Sequence, residues 1–227
     1  MGCKSDRTRN LAELRSGCVA ALLMCAVVLT GGCDTAYYGI QEQFGNLKSD
    51  ILVERVTSAM AEQEDASAEF ADALEKFEAV VGTQPSALKD RYQDLRAAYE
   101  DAAQQAAAVS ARIDAVAAVA EDLFEEWAQE IEQISQPKLR HASAAQLELA
   151  RDQYAKLIAA MRQAESRMQP VLIAFNDHVL YLKHNLNAAA IASLRGELRG
   201  VEADVRRLVN DMERAIRQAQ QFLRDFV

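Results

Sequence analysis

The chain has 227 residues, half of them apolar, with 25 Lys and Arg against 34 Asp and Glu, a net charge of −9 and a mean hydropathy of −0.15. An acidic balance of this size argues against nucleic acid and anionic surfaces as partners, because polyanion binding is dominated by neutralising cations. All four cysteines lie at or before Cys33, so the rest of the chain is not a disulfide scaffold.

The first segment has the layout of an export signal. Lys4, Arg7, Arg9 and Arg15 outweigh Asp6 and Glu13, and the twelve residues from Cys18 to Leu29 are all apolar. Thr30, Gly31 and Gly32 then lead to Cys33. A basic start, a short apolar run and small residues before a cleavage point mark a secretory leader. Twelve helical residues rise about 18 Å, short of a hydrocarbon core of about 30 Å. The alternative of an acylated cytoplasmic N-terminus at Met1-Gly2-Cys3 fails on Asp6, where the myristoylation pattern needs Ser or Thr.

The small residues ending on Cys33 resemble the lipobox of bacterial lipoproteins, with Thr30 where that class usually carries Leu. The resemblance implies cleavage after residue 32, with palmitate-type acylation of Cys33 and a lipid anchor. It also implies a body on the periplasmic face of a bacterial membrane, with Asp34 favouring retention at the inner one. Removing the leader takes four basic and two acidic residues, leaving 21 against 32 and a net of −11. Residues 33–45 are expected to be the lipidated cysteine and a linker.

The remainder, 46–227, reads as one all-α domain, an elongated antiparallel coiled coil or bundle of four long helices. Apolar residues recur at steps of three and four, the spacing of one helical stripe. The first helix, 46–81, offers Val53, Val56, Met60, Gln63, Ser67, Phe70, Leu74, Phe77 and Val81, with polar members at Gln63 and Ser67. The second, 88–135, offers Leu88, Tyr92, Leu95, Tyr99, Ala102, Ala106, Val109, Ile113, Val116, Ala120, Leu123, Trp127, Glu130 and Ile134, with Glu130 its one charged member. The third, 143–186, runs from Leu147 through Tyr154, Met161 and Met168, then resumes one place late at Leu172 and ends at Leu186. That 4-4 step is a stutter, which unwinds a supercoil locally. Pro170 lies inside it and removes a backbone donor. The fourth, 188–226, runs from Ile191 to Phe226.

Turn chemistry separates them. Gly82 and Pro85 mark the first break, with Ser86 a candidate N-cap. Pro137 marks the second, which holds His141, with Ser143 and Gln146 at capping-box spacing. Asn187 is a candidate cap for the fourth helix; a kinked continuous helix is the alternative. The acidic residues of 61–78 are expected to lie beside the arginines of the third or fourth helix.

One stretch is not repetitive. Met168 to Leu194 holds a proline, two of the three histidines and three asparagines among clustered apolar residues. This stretch, with Lys48 to Ala59 and the lipobox-like start, resembles the bacterial lipoprotein family designated domain of unknown function 2959. The resemblance covers nearly all of the body and implies a helical envelope lipoprotein, with no catalytic residue to transfer.

Read by chemistry, the stretch is not a strong site. Asp177, Tyr181 and His184 share a helical face, but His178 and His184 point about 120° apart and do not make a zinc pair. No Gly-x-Ser-x-Gly or phosphate loop occurs. No catalytic activity, cofactor, metal or small-molecule substrate is expected. Asn176, Asp177, Lys183, His184, Asn185 and Asn187 are expected to fix register in a seam or to form a partner surface. The expected role is structural, through the lipid and either another envelope protein or self-association. A membrane-shaping crescent-type bundle is the alternative, and an enzyme or metal site around Asp177 and His184 the least favoured.

Overall fold

The computed structural model describes the backbone of residues 33–226 and side chains from Lys48 onward. The expected leader, 1–32, and the lipidation of Cys33 lie outside what it describes. The elements are α1 (Cys33–Val81), a 3-10 turn at Pro85–Ala87, α2 (Leu88–Gln133), α3 (Pro137–His184) and α4 (Ala188–Phe226). The segment 33–45, expected to be a linker, is helical. Residues Lys48–Val227 form a compact unit of their own, an all-α helical bundle.

Side-chain bonds between the helices set the topology. Gln105 Nε2 donates to Glu62 at 2.8 Å, and Lys48 Nζ pairs with Glu126 at 2.8 Å. As α1 numbers rise, their partners on α2 fall, so these helices are antiparallel. Trp127–Ser143 and Arg162–Asp114 make the same argument for α2 and α3. Gln153–Asp225 and Gln163–Asp211 make it for α3 and α4. Lys48 and Phe226 therefore both lie toward the end that carries the α2–α3 turn.

Heptad burial holds the unit together, and one apolar cluster draws on all four helices. On α2, Leu88, Leu95, Ala102, Ala106, Val109, Ile113, Val116, Ala120 and Leu123 are buried as the stripe predicts. Tyr92, Tyr99 and Trp127 pack on the cluster's margin. Glu130 is half-buried, and desolvation, then the nearby Glu126, raises its carboxyl pKa. On α3 the stutter is visible as a widened stripe, with Met168, Val171, Leu172 and Phe175 all buried. The helix continues through Pro170.

The first stripe needs correction. The buried positions of α1 are Leu52, Val56, Ala59, Gln63, Ala66, Phe70, Ala73, Phe77, Val80 and Val81. Val56, Gln63, Phe70, Phe77 and Val81 are buried as the stripe predicts, whereas Val53, Met60, Ser67 and Leu74 lie one residue beyond this line and are only half-buried. The alanines carry too little apolar weight to be chosen over Met60 and Leu74 from sequence. Their burial follows the helix phase that Leu52, Val56, Phe70 and Phe77 set.

The turns also differ from expectation. Ser86 lies within the 3-10 turn, whose own N-cap is Gln84, and neither that turn nor α2 has a side-chain cap. α3 starts at Pro137, not at Ser143. Gln136 is extended and proline sits in the first turn, where its missing N–H and fixed φ suit a helix start. His141 is therefore helical and exposed. Ser143, freed from capping, accepts a hydrogen bond from Trp127 Nε1 at 3.0 Å. α3 ends at His184, where Asn185 leaves helical dihedrals, so Leu186 is carried off the stripe and is 41% exposed. Asn187 caps α4, its Oδ1 accepting from Ala190 N at 3.0 Å.

The acidic run of α1 does not pair with the arginines of α3 or α4 among the described residues. Glu62 takes Arg112 of α2, and Lys76 takes Asp72 within α1. The α3 and α4 arginines pair locally, with each other's helix or with α2, as in Arg151–Glu148, Arg167–Asp211 and Arg162–Asp114. Arg195 reaches α1, donating to the Val81 carbonyl at 3.1 Å.

Candidate functional site

The C-terminal third of α3 and the turn after it were singled out by composition, and the structure divides their residues by role. Asn185 and Asn187 build the turn: Asn185 Nδ2 donates to the Tyr181 carbonyl at 2.8 Å, and Asn187 caps α4. Asn176 is half-buried, whereas Asp177, Lys183 and His184 are exposed. None of the six is fully buried. Asp177, Tyr181 and His184 share the face that periodicity assigns them, but that face opens to solvent rather than onto a cavity.

His178 behaves differently from its neighbours. Its ring stacks on Phe77 of α1, centroids 4.6 Å apart and planes at 22°, while Phe77 meets Phe175 edge-on at 6.4 Å. Burial lowers the His178 pKa from its ordinary 6.5, and Glu197 and Asp177 only partly oppose this. Stacked on phenylalanine and half-buried, this imidazole packs α3 against α1.

Around these residues α3 presents an apolar outer surface. Ile173 and Leu180 are each 52% exposed, and Tyr181 and Leu186 are also open. Four of the six large exposed apolar side chains of the described unit fall within fourteen residues. The other two, Leu139 and Leu149, lie far along the same helix. Such clustering marks interaction surfaces more often than scattered exposure does.

Two polar groups that sequence reasoning did not rank are the only polar residues buried outright among those described. Gln63 is fully buried, and neither its Oε1 nor its Nε2 has a hydrogen-bond partner. Asp211, 4% exposed, gathers Arg167 and Gln163 from α3 and Arg214 from α4, the last at 2.7 Å. Gln63 was legible as a polar break in the stripe. Asp211 was hidden because it precedes Met212 and sits one step outside the predicted line. Close to it, a groove of about 380 Å³ is lined by Gln163, Arg167, Pro170, Asp204 and Arg207. These groups pin α3 to α4 beside the proline. Among the described residues there is no group of three His, Cys, Asp or Glu placed to hold a metal ion, and no helix long and apolar enough to cross a membrane.

A family model described as "Protein of unknown function (DUF2959)" matches residues 37–226. The chain belongs to the DUF2959 family. No curated protein and no solved structure matches it. For this DUF2959 chain the match spans all four helices, so the exposed end of α3 and the Asp211 cluster both lie within the family domain.

Proposed function

We propose that this DUF2959 chain is an exported lipoprotein, anchored through Cys33 at the periplasmic face of a bacterial membrane, whose helical body serves as a non-enzymatic scaffold or docking partner in the envelope. The anchor rests on the leader-like run that ends at Cys33. The observation that carries the scaffold role is the allocation of chemistry in the bundle. Its buried and bridging polar groups, such as Asp211, Arg167 and Arg162, tie helix to helix, while its clustered unsatisfied apolar surface faces outward on α3.

The test is the mass of the N-terminal peptide from protein purified out of its native membrane. A diacylated or triacylated Cys33 as the first residue supports the reading. An intact Met1 with an unmodified Cys33 overturns it.

A further inference from the structure

We propose that the outer face of α3 is a self-association surface, on which a second copy of this chain docks antiparallel about a two-fold axis between Leu180 and Tyr181. This deepens the scaffold reading above and rests on it only for the biological setting.

The argument begins with spacing. Ile173, Asp177, Leu180 and His184 follow steps of four, three and four, a second heptad line on the side of α3 opposite its buried stripe. Ile173 and Leu180 are half-exposed and Tyr181 borders them. The line therefore has the pattern of a helix–helix seam with no helix upon it among the described residues. Asp177 and His184, exposed on it, take part in no hydrogen bond or ion pair among the described residues.

Donor–acceptor pairing selects the occupant and its direction, since a carboxylate accepts and an imidazole offers an N–H in either protonation state. Asp177 and His184 lie at equal distances on either side of the Leu180–Tyr181 step. In a parallel pair each residue faces its own copy, so Asp177 would meet Asp177, and like charges repel. In an antiparallel pair about that step, Asp177 faces His184 of the second copy, twice, with Leu180 and Tyr181 meeting at the centre. The Asp177–His184 stretch is complementary to itself in that arrangement, which is the condition for an isologous contact. From Ile173 to His184 it runs about 16 Å. The contact therefore falls in the small interface class, below about 1,200 Å² in total, and is reversible rather than obligate. Its geometry has a further result: Lys48 lies at the end of the bundle away from this face, so the two chains enter the pair from opposite ends.

The test uses the full chain, purified in detergent, with mass followed by sedimentation velocity up to about 100 μM. The wild-type chain shows a concentration-dependent dimer. Asp177→Arg and His184→Glu each weaken it at least about tenfold, and the double variant Asp177→Arg/His184→Glu restores it. Leu180→Asp abolishes it. Because these side chains are exposed, helical circular dichroism stays unchanged in every variant. A monomer throughout the range overturns the proposal and leaves the face to a different protein. A dimer indifferent to these substitutions overturns it too. The N-terminal mass of the same sample reports the anchor separately, so loss of one reading is distinguishable from loss of the other.

Discussion

Gln63→Leu should make the protein more stable. The native side chain is fully buried in the α1 stripe, between Ala59 and Ala66, with both amide atoms unpaired. An unpaired buried polar group costs about 1–3 kcal/mol relative to a satisfied or absent one. Leucine has nearly the same length, needs no partner and restores the apolar line. The expected gain is about 2 kcal/mol, or an increase in Tm of roughly 4–8 °C for a domain of this size. In urea the midpoint should rise by roughly 1 M with an unchanged slope. Gln63→Ala provides the control: it removes the amide but leaves a void, so it should fall below the leucine variant. Loss of stability in Gln63→Leu would refute the reasoning and mean that the amide is hydrogen-bonded in solution, through a buried water. If Gln63 serves specificity, as polar seam residues do in coiled coils, the leucine variant should also exchange backbone hydrogens less uniformly across α1.

Asp211→Ala should cost about 2 kcal/mol, because it removes the acceptor shared by Arg167, Gln163 and Arg214; urea denaturation with a Gln163→Ala, Asp211→Ala cycle would separate the α3–α4 coupling from the local term. His178 has a lowered pKa in the folded state, so the unfolded chain binds the extra proton more readily. Its contribution is complete above about pH 6.5 and is lost as pH falls through the lower folded value; His178→Phe should flatten that acid limb in thermal melts recorded between about pH 4 and 8. Gly196 and Gly200 are exposed on α4, and a Cβ at either would meet nothing within 4 Å. Replacing each by Ala should therefore raise stability by about 0.5–1 kcal/mol, read as a shift in urea midpoint.

What the sequence revealed followed from periodicity. The stripes of α2 and α4 repeat over many turns with large apolar residues, so noise at one position does not shift the phase. The α1 stripe holds Ala59, Ala66 and Ala73, and alanine's weak signal let Met60 and Leu74, one residue away, capture the assignment. Prolines misled in a different way. Pro137 was read as a break, yet it opens α3, because the same missing N–H that stops a helix interior costs nothing in its first turn. Ser143 shows the limit of motif reading: its spacing suits a cap, but an indole four turns back along α2 and α3 claims its hydroxyl. Asp211 could not be found by pattern, since its burial depends on three partners brought from another helix and the next turn. The α3 face was noticed for its composition. That its apolar residues point outward rather than into the seam required the packing itself.

The arrangement of the chain ends has a mechanical consequence. Lys48 and Phe226 emerge at the same end of the bundle, while the turns 82–87 and 185–187 close the other. A force applied between residues 48 and 226 therefore pulls the outer helices apart one turn at a time, breaking contacts in sequence like a zipper. A force applied between residue 48 and the 185–187 turn instead runs along the helices and strains many contacts together. The same body should yield at low load when held by its two termini and resist when held by one terminus and its far turn. A load delivered through the outer end of α3 falls in the second class.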